Sequence, residues 1–233
     1  MLTHLFKNNK LLQYISDLHL ERRKNIIKIP VKGNYLALCG DIGNPNHSNY
    51  KQLLKYSSNE FEKTFIIAGN HEYNNKSITK MNFVNDQIDD IVSNFNNVFF
   101  LNNNYYKLNK YTILFGTTLW TKSTNHKLHN KSINWLENNI VDNLNKNIII
   151  ISHHLPSYKL IVPKFRKLKY KYLFDRYASN LEYIMEYPNI KVWLCGHSHC
   201  QYNTFINGTY CAINALGHNK NINYDELIKI IYI

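Results

Sequence analysis

TFIIAGNHEY, residues 64–73, is the stretch on which the fold turns. Thr64 to Ala68 are apolar or β-branched, which suits a short buried strand. The chain then breaks at Gly69 and presents three polar side chains in a row, Asn70, His71 and Glu72. The same pattern recurs four times elsewhere. LLQYIS (11–16) runs into Asp17 and His19, and YLALC (35–39) into Gly40 and Asp41. NIIIIS (147–152) runs into His153 and His154, and KVWLC (191–195) into Gly196, His197, Ser198 and His199. In an open α/β sheet, ligands bind at the carboxyl ends of the strands. Five distant stretches of sequence thus deliver their polar residues to one edge.

Working outward, the spacing of apolar residues predicts helices between these strands. Asn49–Glu62 is one, and Ser77–Phe95 another, with Ile78, Met81, Val84, Ile88, Ile91 and Val92 close to a helical period. His129–Leu144 carries Ile133, Leu136, Ile140 and Leu144 on one face, and Ser179–Met185 is a shorter candidate. Strand–loop–helix repeats predict an α/β fold. Val98–Leu101, Tyr105–Leu108 and Tyr111–Trp120 read as successive strands. So do Tyr202–Ile206 and Thr209–Ala215, joined by an Asn207-Gly208 hairpin turn, and Leu227–Ile233. Mixed sheets fit this better than one parallel sheet. The 233 residues suit one domain, spanning 1–233, without internal repeats.

Composition excludes several classes. Glycine and proline are scarce, at 8 and 5, which removes collagenous and proline-rich disordered readings. No run of about 18 apolar residues exists to span a membrane. The N-terminus, MLTHLFKNNK, lacks the apolar core of a secretory signal, so a cytoplasmic location without membrane association is expected. Cys39, Cys195 and Cys211 sit in or beside apolar runs and read as small hydrophobes in a reducing compartment. Cys195 and Cys200 bracket two histidines, but the spacing does not match a zinc finger. The net charge of +12 favours an anionic partner, while even enrichment in lysine offers a plainer explanation.

The polar clusters carry the chemistry. Asp-x-His on a turn after a strand lets two side chains reach one ion, and carboxylate with imidazole suits Mn, Fe, Zn or Co better than Ca. A second Asp can bridge two ions. A neutral Asn carbonyl keeps the site's negative charge low, and a final His-x-His can give one imidazole to each ion. Any one of these residues alone could be a turn or helix cap. Five clusters in this order point to a two-metal hydrolase site.

The order DxH, GD, GNHE, H, GHxH resembles the signature of the calcineurin-like metallophosphoesterase superfamily. SDLHLE (16–21), GNHEY (69–73), TLW (118–120), SHHLPS (152–157), YASNLE (177–182) and GHSH (196–199) resemble its small bacterial and viral members. Asn180 departs from the Asp expected in that subgroup's helix. The resemblance runs from about Gln13 to His218. It implies a four-layer α/β/β/α sandwich of two mixed sheets flanked by helices. It implies a phosphoester hydrolase with two divalent metal ions. Asp17, His19 and His199 would hold one ion, and Asn70, His153 and His197 the other. Asp41 would bridge them. A hydroxide between the ions would attack phosphorus, and His71 would protonate the leaving group. The substrate class implied is a small phosphorylated molecule or a nucleotide, with nucleic acid, or a non-catalytic scaffold role, as alternatives.

Around this set, His154 is a candidate for supporting a ligand or facing substrate, and Tyr73 for facing the site or packing. Glu72 reads as a structural hydrogen-bond acceptor. His4, His47, His126 and His129 read as surface residues. Tyr158–Tyr177 interleaves Lys159, Lys164, Arg166, Lys167, Lys169, Lys171 and Arg176 with six aromatic rings. It leaves a candidate ligand, so it is expected to overhang the site, with Arg166 and Lys167 as candidate substrate contacts. A basic and aromatic surface suits nucleotides or single strands. The competing reading is a solvated loop with its rings tucked inward.

Overall fold

The structure is a computed structural model that describes residues 10–73, 77–218 and 227–233, with the backbone alone for residues 79 and 168. His4 lies outside the described residues. The strands are β1 Leu11–Ile15, β2 Tyr35–Cys39, β3 Lys63–Ile67, β4 Val98–Phe100, β5 Asn104–Lys107, β6 Thr112–Thr117, β7 Asn147–Ser152, β8 Ile190–Cys195, β9 Gln201–Ile206, β10 Thr209–Asn214 and β11 Ile230–Tyr232. The helices are α1 Ser48–Glu60, α2 Asn70–Tyr73, α3 Ile78–Val92, α4 Lys122–Val141 and α5 Phe174–Tyr177.

The strands form two mixed sheets, ordered β11-β1-β2-β3-β4 and β5-β6-β7-β8-β10-β9. In the first, β1 to β4 run parallel and β11 is antiparallel at the edge. In the second, β6, β7, β8 and β10 run parallel between antiparallel edges β5 and β9. Alternation along each strand builds three apolar layers. Ile149 and Ile151 of β7 pack with Ala37, Phe65 and Leu194 between the sheets. Ile148 and Ile150 face outward onto Leu136 and Ile140 of α4. On the other side Leu36, Leu38 and Ile66 pack against Leu53 of α1 and Val84 and Ile88 of α3. Helix, sheet, sheet, helix is therefore the order of layers, as the resemblance implied.

The sheets join at one corner. Ser16 bridges Ala215, with Ser16 N donating to Asn214 O and Leu216 N to Ser16 O. That contact brings the carboxyl ends of β1, β2 and β3 beside those of β7 and β8, so the polar clusters of both sheets share one rim.

Two expectations need correction. α4 spans Lys122–Val141 with a kink at the non-helical Asn125, so the helix starts before His129, and Leu144 lies beyond its end and is exposed. His129 is buried rather than on the surface, its Nδ1 2.9 Å from Trp120 O and 3.1 Å from Leu119 O. The Asn207-Gly208 turn forms as expected, with φ of 48° and 84°, the left-handed pair that a two-residue hairpin requires.

Candidate metal centre

Each cluster enters the rim through a tight turn. Asp17, His19, Asp41, His197 and His199 all have left-handed backbone, with φ of 56°, 47°, 52°, 67° and 46°. That conformation costs a non-glycine residue about 1–2 kcal/mol, and Asp and His are among the side chains that tolerate it best. Neighbouring loops hold the turns in place. Asp17 N donates to Gly40 O (3.0 Å), His19 N to Asp41 O (3.1 Å) and Gly217 N to Asp17 O (3.0 Å). Glu72, fully buried, accepts from the backbone N–H of Asp41, Ile42, Gly43 and Gly69 and so clamps the loops after β2 and β3. Burial, then the nearby Asp41, pushes its carboxyl up to about 8, against the pull of those donors. The glycines are spatial necessities. A Cβ on Gly196 would stand 2.8 Å from Asp17 Oδ2 and 2.6 Å from Ser16 Oγ.

Two groups of side chains meet at Asp41. Asp17, His19, Asp41 and His199 form one, and Asp41, His153 and His197 the other, with ligand-capable atoms within 4.8 Å of one another in each. His19 Nε2 and His199 Nε2 are 3.1 Å apart, and His199 Nε2 is 3.2 Å from Asp17 Oδ1. His153 Nε2 lies 3.1 Å from Asn70 Oδ1, 3.2 Å from His197 Nδ1 and 3.3 Å from Asp41 Oδ2. Ligands of one ion, each about 2.1 Å from it, stand about 3 Å apart when they meet at right angles.

The donor set fits divalent ions. Asp17 Oδ2 is satisfied by Ser16 Oγ and His197 N, whereas Asp17 Oδ1 is buried without a hydrogen-bond partner. His153 Nδ1 lies 3.1 Å from the Cys39 carbonyl and His197 Nε2 3.3 Å from that of Arg176. A carbonyl fixes a proton on the outer nitrogen and turns the inner lone pair toward the centre, the support that ligating histidines usually receive. The converging atoms are therefore carboxylate oxygens, an amide oxygen and imidazole nitrogens, the donor types that divalent transition ions take.

Electrostatics follow from the crowding. Burial would raise the Asp41 carboxyl, but His153 and then His71 hold it well below the usual carboxylate range. Burial would likewise raise Asp17, but His199 and His153 hold it low. Burial would lower His153, but Asp41 outweighs it and raises the imidazole to about 9. His154 is pushed down to about 3 by burial and by its neighbour His153. Burial lowers His71.

The remaining candidates divide. His71 is half-buried, its backbone N–H 2.8 Å from Asp41 Oδ1 and its Nε2 3.9 Å from Asp41 Oδ2, beside both groups. His154 is buried, with Nδ1 3.2 Å from Thr118 O and Nε2 without a partner, and it lines the cavity over the centre. Tyr73 does not face the site. Its ring packs 5.7 Å from that of Trp120 and its hydroxyl donates to Asn85 Oδ1. Arg166 is likewise turned away, its guanidinium donating to the Ile161 and Lys159 carbonyls of its own segment. Lys167 is exposed and absent from the residues lining the cavity at the centre. Tyr158–Tyr177 is a chain of 3-10 turns ending in α5, and its end does reach the site. Arg176 and Tyr177 line the cavity beside Asn70 and His197.

One residue of the rim was missed. His218 places its ring 4.5 Å from that of His19 and 4.8 Å from that of His199, and can join them as a ligand group. The signal was the same as elsewhere, an apolar strand, here Thr209–Ala215, followed by a Gly-His pair.

The calcineurin-like phosphoesterase family model matches residues 12–201. The chain belongs to this family. An uncharacterized protein of Acanthamoeba polyphaga mimivirus is 29% identical over 92% of the chain and 93% of its own length. A probable cyclic nucleotide phosphodiesterase of Coxiella burnetii is 26% identical over 81% of the chain and 75% of its own. Among solved structures, the phosphopantetheinyl hydrolase of Mycobacterium tuberculosis superposes with a TM-score of 0.65 at 13% identity, covering 90% of each chain. A Thermus thermophilus protein gives 0.61 at 9% identity, covering 89% of this chain and 90% of its own. These likenesses carry the two-sheet fold. No helix among the described residues is long and apolar enough to cross a membrane.

Proposed function

We propose that this chain hydrolyses phosphoesters of small molecules or nucleotides at two divalent metal ions. Asp17, His19 and His199 would hold one ion, Asn70, His153 and His197 the other, and Asp41 would serve both. The observation that carries this is the double membership of Asp41, whose carboxylate lies within 4.8 Å of the candidate ligand atoms of both histidine groups. When bound, the ions supply Lewis-acid stabilisation of phosphoryl charge and acidify water into a nucleophile. The chain's own contribution is positional. Loops clamped by Glu72 fix Asp41 and Asn70, and carbonyls orient His153 and His197. His71, half-buried beside Asp41, donates a proton to the departing alkoxide. The name of the Coxiella relative supports diesters among the substrates.

The test is a turnover screen with Mn²⁺, Fe²⁺, Zn²⁺ and Co²⁺ against aryl monoesters, aryl diesters, cyclic nucleotides and single-stranded DNA. Chelator-sensitive hydrolysis of at least one class is expected. No turnover with any ion would sink the reading. His154→Ala should retain both ions, since its Nδ1 is spent on Thr118 O, and activity should change only moderately. Metal loss there, with His153→Ala harmless, would reverse the roles of the pair.

A nuclease is the second reading, favoured by the exposed Lys164, Lys167, Lys169 and Lys171, for which no ion pair is found among the described residues. A backbone contact by these lysines predicts binding that weakens steeply with salt through counterion release. Replacing three of them by Gln should flatten the slope of log affinity against log salt by roughly 2 units, at about 0.7 per single-strand phosphate contact. A flat slope in the parent protein removes the nuclease.

A further inference from the structure

Beside the mouth of the metal centre, the Tyr158–Tyr177 segment forms a second cavity of different chemistry. It measures about 190 Å³, and its apolar walls include Ile161, Phe165 and Leu173. Among the described lining residues, side-chain polar atoms come only from Ser198 and the phenols of Tyr170 and Tyr177. Phe165 and Tyr177 are 43% and 39% exposed, so the cavity is open and its apolar walls meet water.

Two observations tie this cavity to the centre. Ser198 lies between His197 and His199 in the chain and lines the cavity. Tyr177 lines both this cavity and the mouth over the centre, and its ring is 5.0 Å from that of His197. Arg176, next to Tyr177, also lines the mouth, with its backbone carbonyl 3.3 Å from His197 Nε2. A phosphoryl group held at the mouth therefore has an apolar recess adjoining it across a single tyrosine ring.

We propose that this recess binds an apolar substituent of the phosphoester substrate, a hydrocarbon or aryl group the size of one or two rings. The proposal rests on the phosphoesterase reading and names the substrate class that reading leaves open. Size permits it, because a dry apolar cavity of about 150 Å³ accepts benzene. Chemistry selects against a sugar or a nucleobase. Edge amides and amines of a base that are buried against these walls would meet only three side-chain hydroxyls, and each polar group buried unpaired costs roughly 5- to 150-fold in affinity. Lys164 and Lys169 lie over the rings of Phe165 and Tyr170, each 4.9 Å from the ring centre. They put positive charge beside the recess, which suits a ligand whose other end is a phosphate.

The experiment keeps the leaving group constant. Ethyl phosphate, naphthylethyl phosphate and adeninylethyl phosphate, with their methyl diesters, all release primary alcohols of similar basicity, so differences in kcat/KM report the substituent. The naphthylethyl esters should be preferred over the ethyl esters by about 10- to 100-fold. Leu173→Trp, which fills the recess, should bring that preference to about unity. Phe165→Ala, which opens a half-exposed wall, should remove part of it. Circular dichroism checks that both variants fold. Equal rates on ethyl and naphthylethyl esters would overturn the proposal, as would a preference that survives Leu173→Trp. An adeninylethyl ester favoured over the naphthylethyl ester would overturn it in favour of a nucleotide subsite. If no ester turns over, the phosphoesterase reading fails alone, and calorimetry with the non-hydrolysable naphthylethyl and ethyl phosphonates decides the recess. Binding of the first at least tenfold tighter, lost in Leu173→Trp, supports it, and equal binding overturns it.

Discussion

Asp41→Asn is expected to lose more than one ion and to lower turnover by ~10³-fold or more. The substitution is nearly isosteric and leaves the local fold with little reason to change. Asn tolerates the left-handed backbone held here at a φ of 52°. Its amide oxygen can still accept from His71 N, as Asp41 Oδ1 does at 2.8 Å. What changes is charge. Asp41 is the acid common to the Asp17/His19/His199 and His153/His197 groups. Asp17 would remain as the other carboxylate of the set. On the proposed assignment, neutralising the carboxylate that serves both ions should release both, whereas Asn70, proposed to hold one, should cost one. Lewis-acid stabilisation is worth several kcal/mol, and each 1.36 kcal/mol is about tenfold in rate. Metal analysis of the purified variant, beside Asn70→Ala, reads the difference directly. Two tightly bound ions per chain with near-normal turnover in Asp41→Asn would refute the shared role.

The degree to which the sequence foretold these features depends on which physical force set each one. β2 and β7 match their expected bounds, Tyr35–Cys39 and Asn147–Ser152, to the residue. Both strands are covered on two faces, so all their positions after the half-buried Asn147 are apolar or small and the polar loop marks the end sharply. α4 was misplaced because Lys122 to Leu128 carry no apolar stripe and the backbone breaks at Asn125 (φ −162°, ψ 91°), whose Oδ1 accepts from Leu128 N. The start is set instead by a reciprocal cap, Thr121 N donating to Thr124 Oγ1 and Thr124 N to Thr121 Oγ1. The buried line of that helix then runs through His129 and Ser132 before Leu136 and Ile140. Half of it is polar, which is why His129 read as a surface residue. The Tyr158–Tyr177 segment had no period to find, because 3-10 turns are held by caps and local bonds rather than by a face.

At the rim, the order of the polar clusters was legible and their backbone was not. Residue types announce which side chains can meet an ion. They do not announce that Asp17, His19, Asp41, His197 and His199 must each turn left-handed to do so. That cost is offset by bonds between loops remote in sequence, such as His19 N to Asp41 O. Arg166 shows the converse. Its charge and neighbours suggested a substrate contact, but a guanidinium has five donors, and here Nε and Nη2 are turned to the backbone carbonyls of Ile161 and Lys159 and the Tyr202 hydroxyl. The basic residue whose backbone reaches the mouth is Arg176.

His71 should divide substrates by their leaving groups. A general acid matters in proportion to how badly the departing oxygen needs a proton. An alkoxide from a sugar or an alkanol is strongly basic, whereas nitrophenolate leaves almost unaided. General acid catalysis is worth ~10²–10⁴-fold, so His71→Gln should cost most of that range on an alkyl ester and far less on a nitrophenyl ester of the same class. The fold and the ions should survive. The contact from residue 71 to Asp41 Oδ1 is made by the backbone N–H, which any side chain retains. The Nε2 atom of His71 stands 3.9 Å from Asp41 Oδ2, so no hydrogen bond to the carboxylate is lost. The ring is also a third exposed at its side chain, which leaves room for a leaving group to approach it. The measurement is the ratio of kcat/KM losses on the two esters at one pH and one metal concentration. Equal losses with both ions bound would show that His71 positions the phosphoryl oxygens and transfers no proton. A loss concentrated on the alkyl ester, with both ions still bound, supports the imidazole as the acid, because the more basic leaving oxygen needs the proton more.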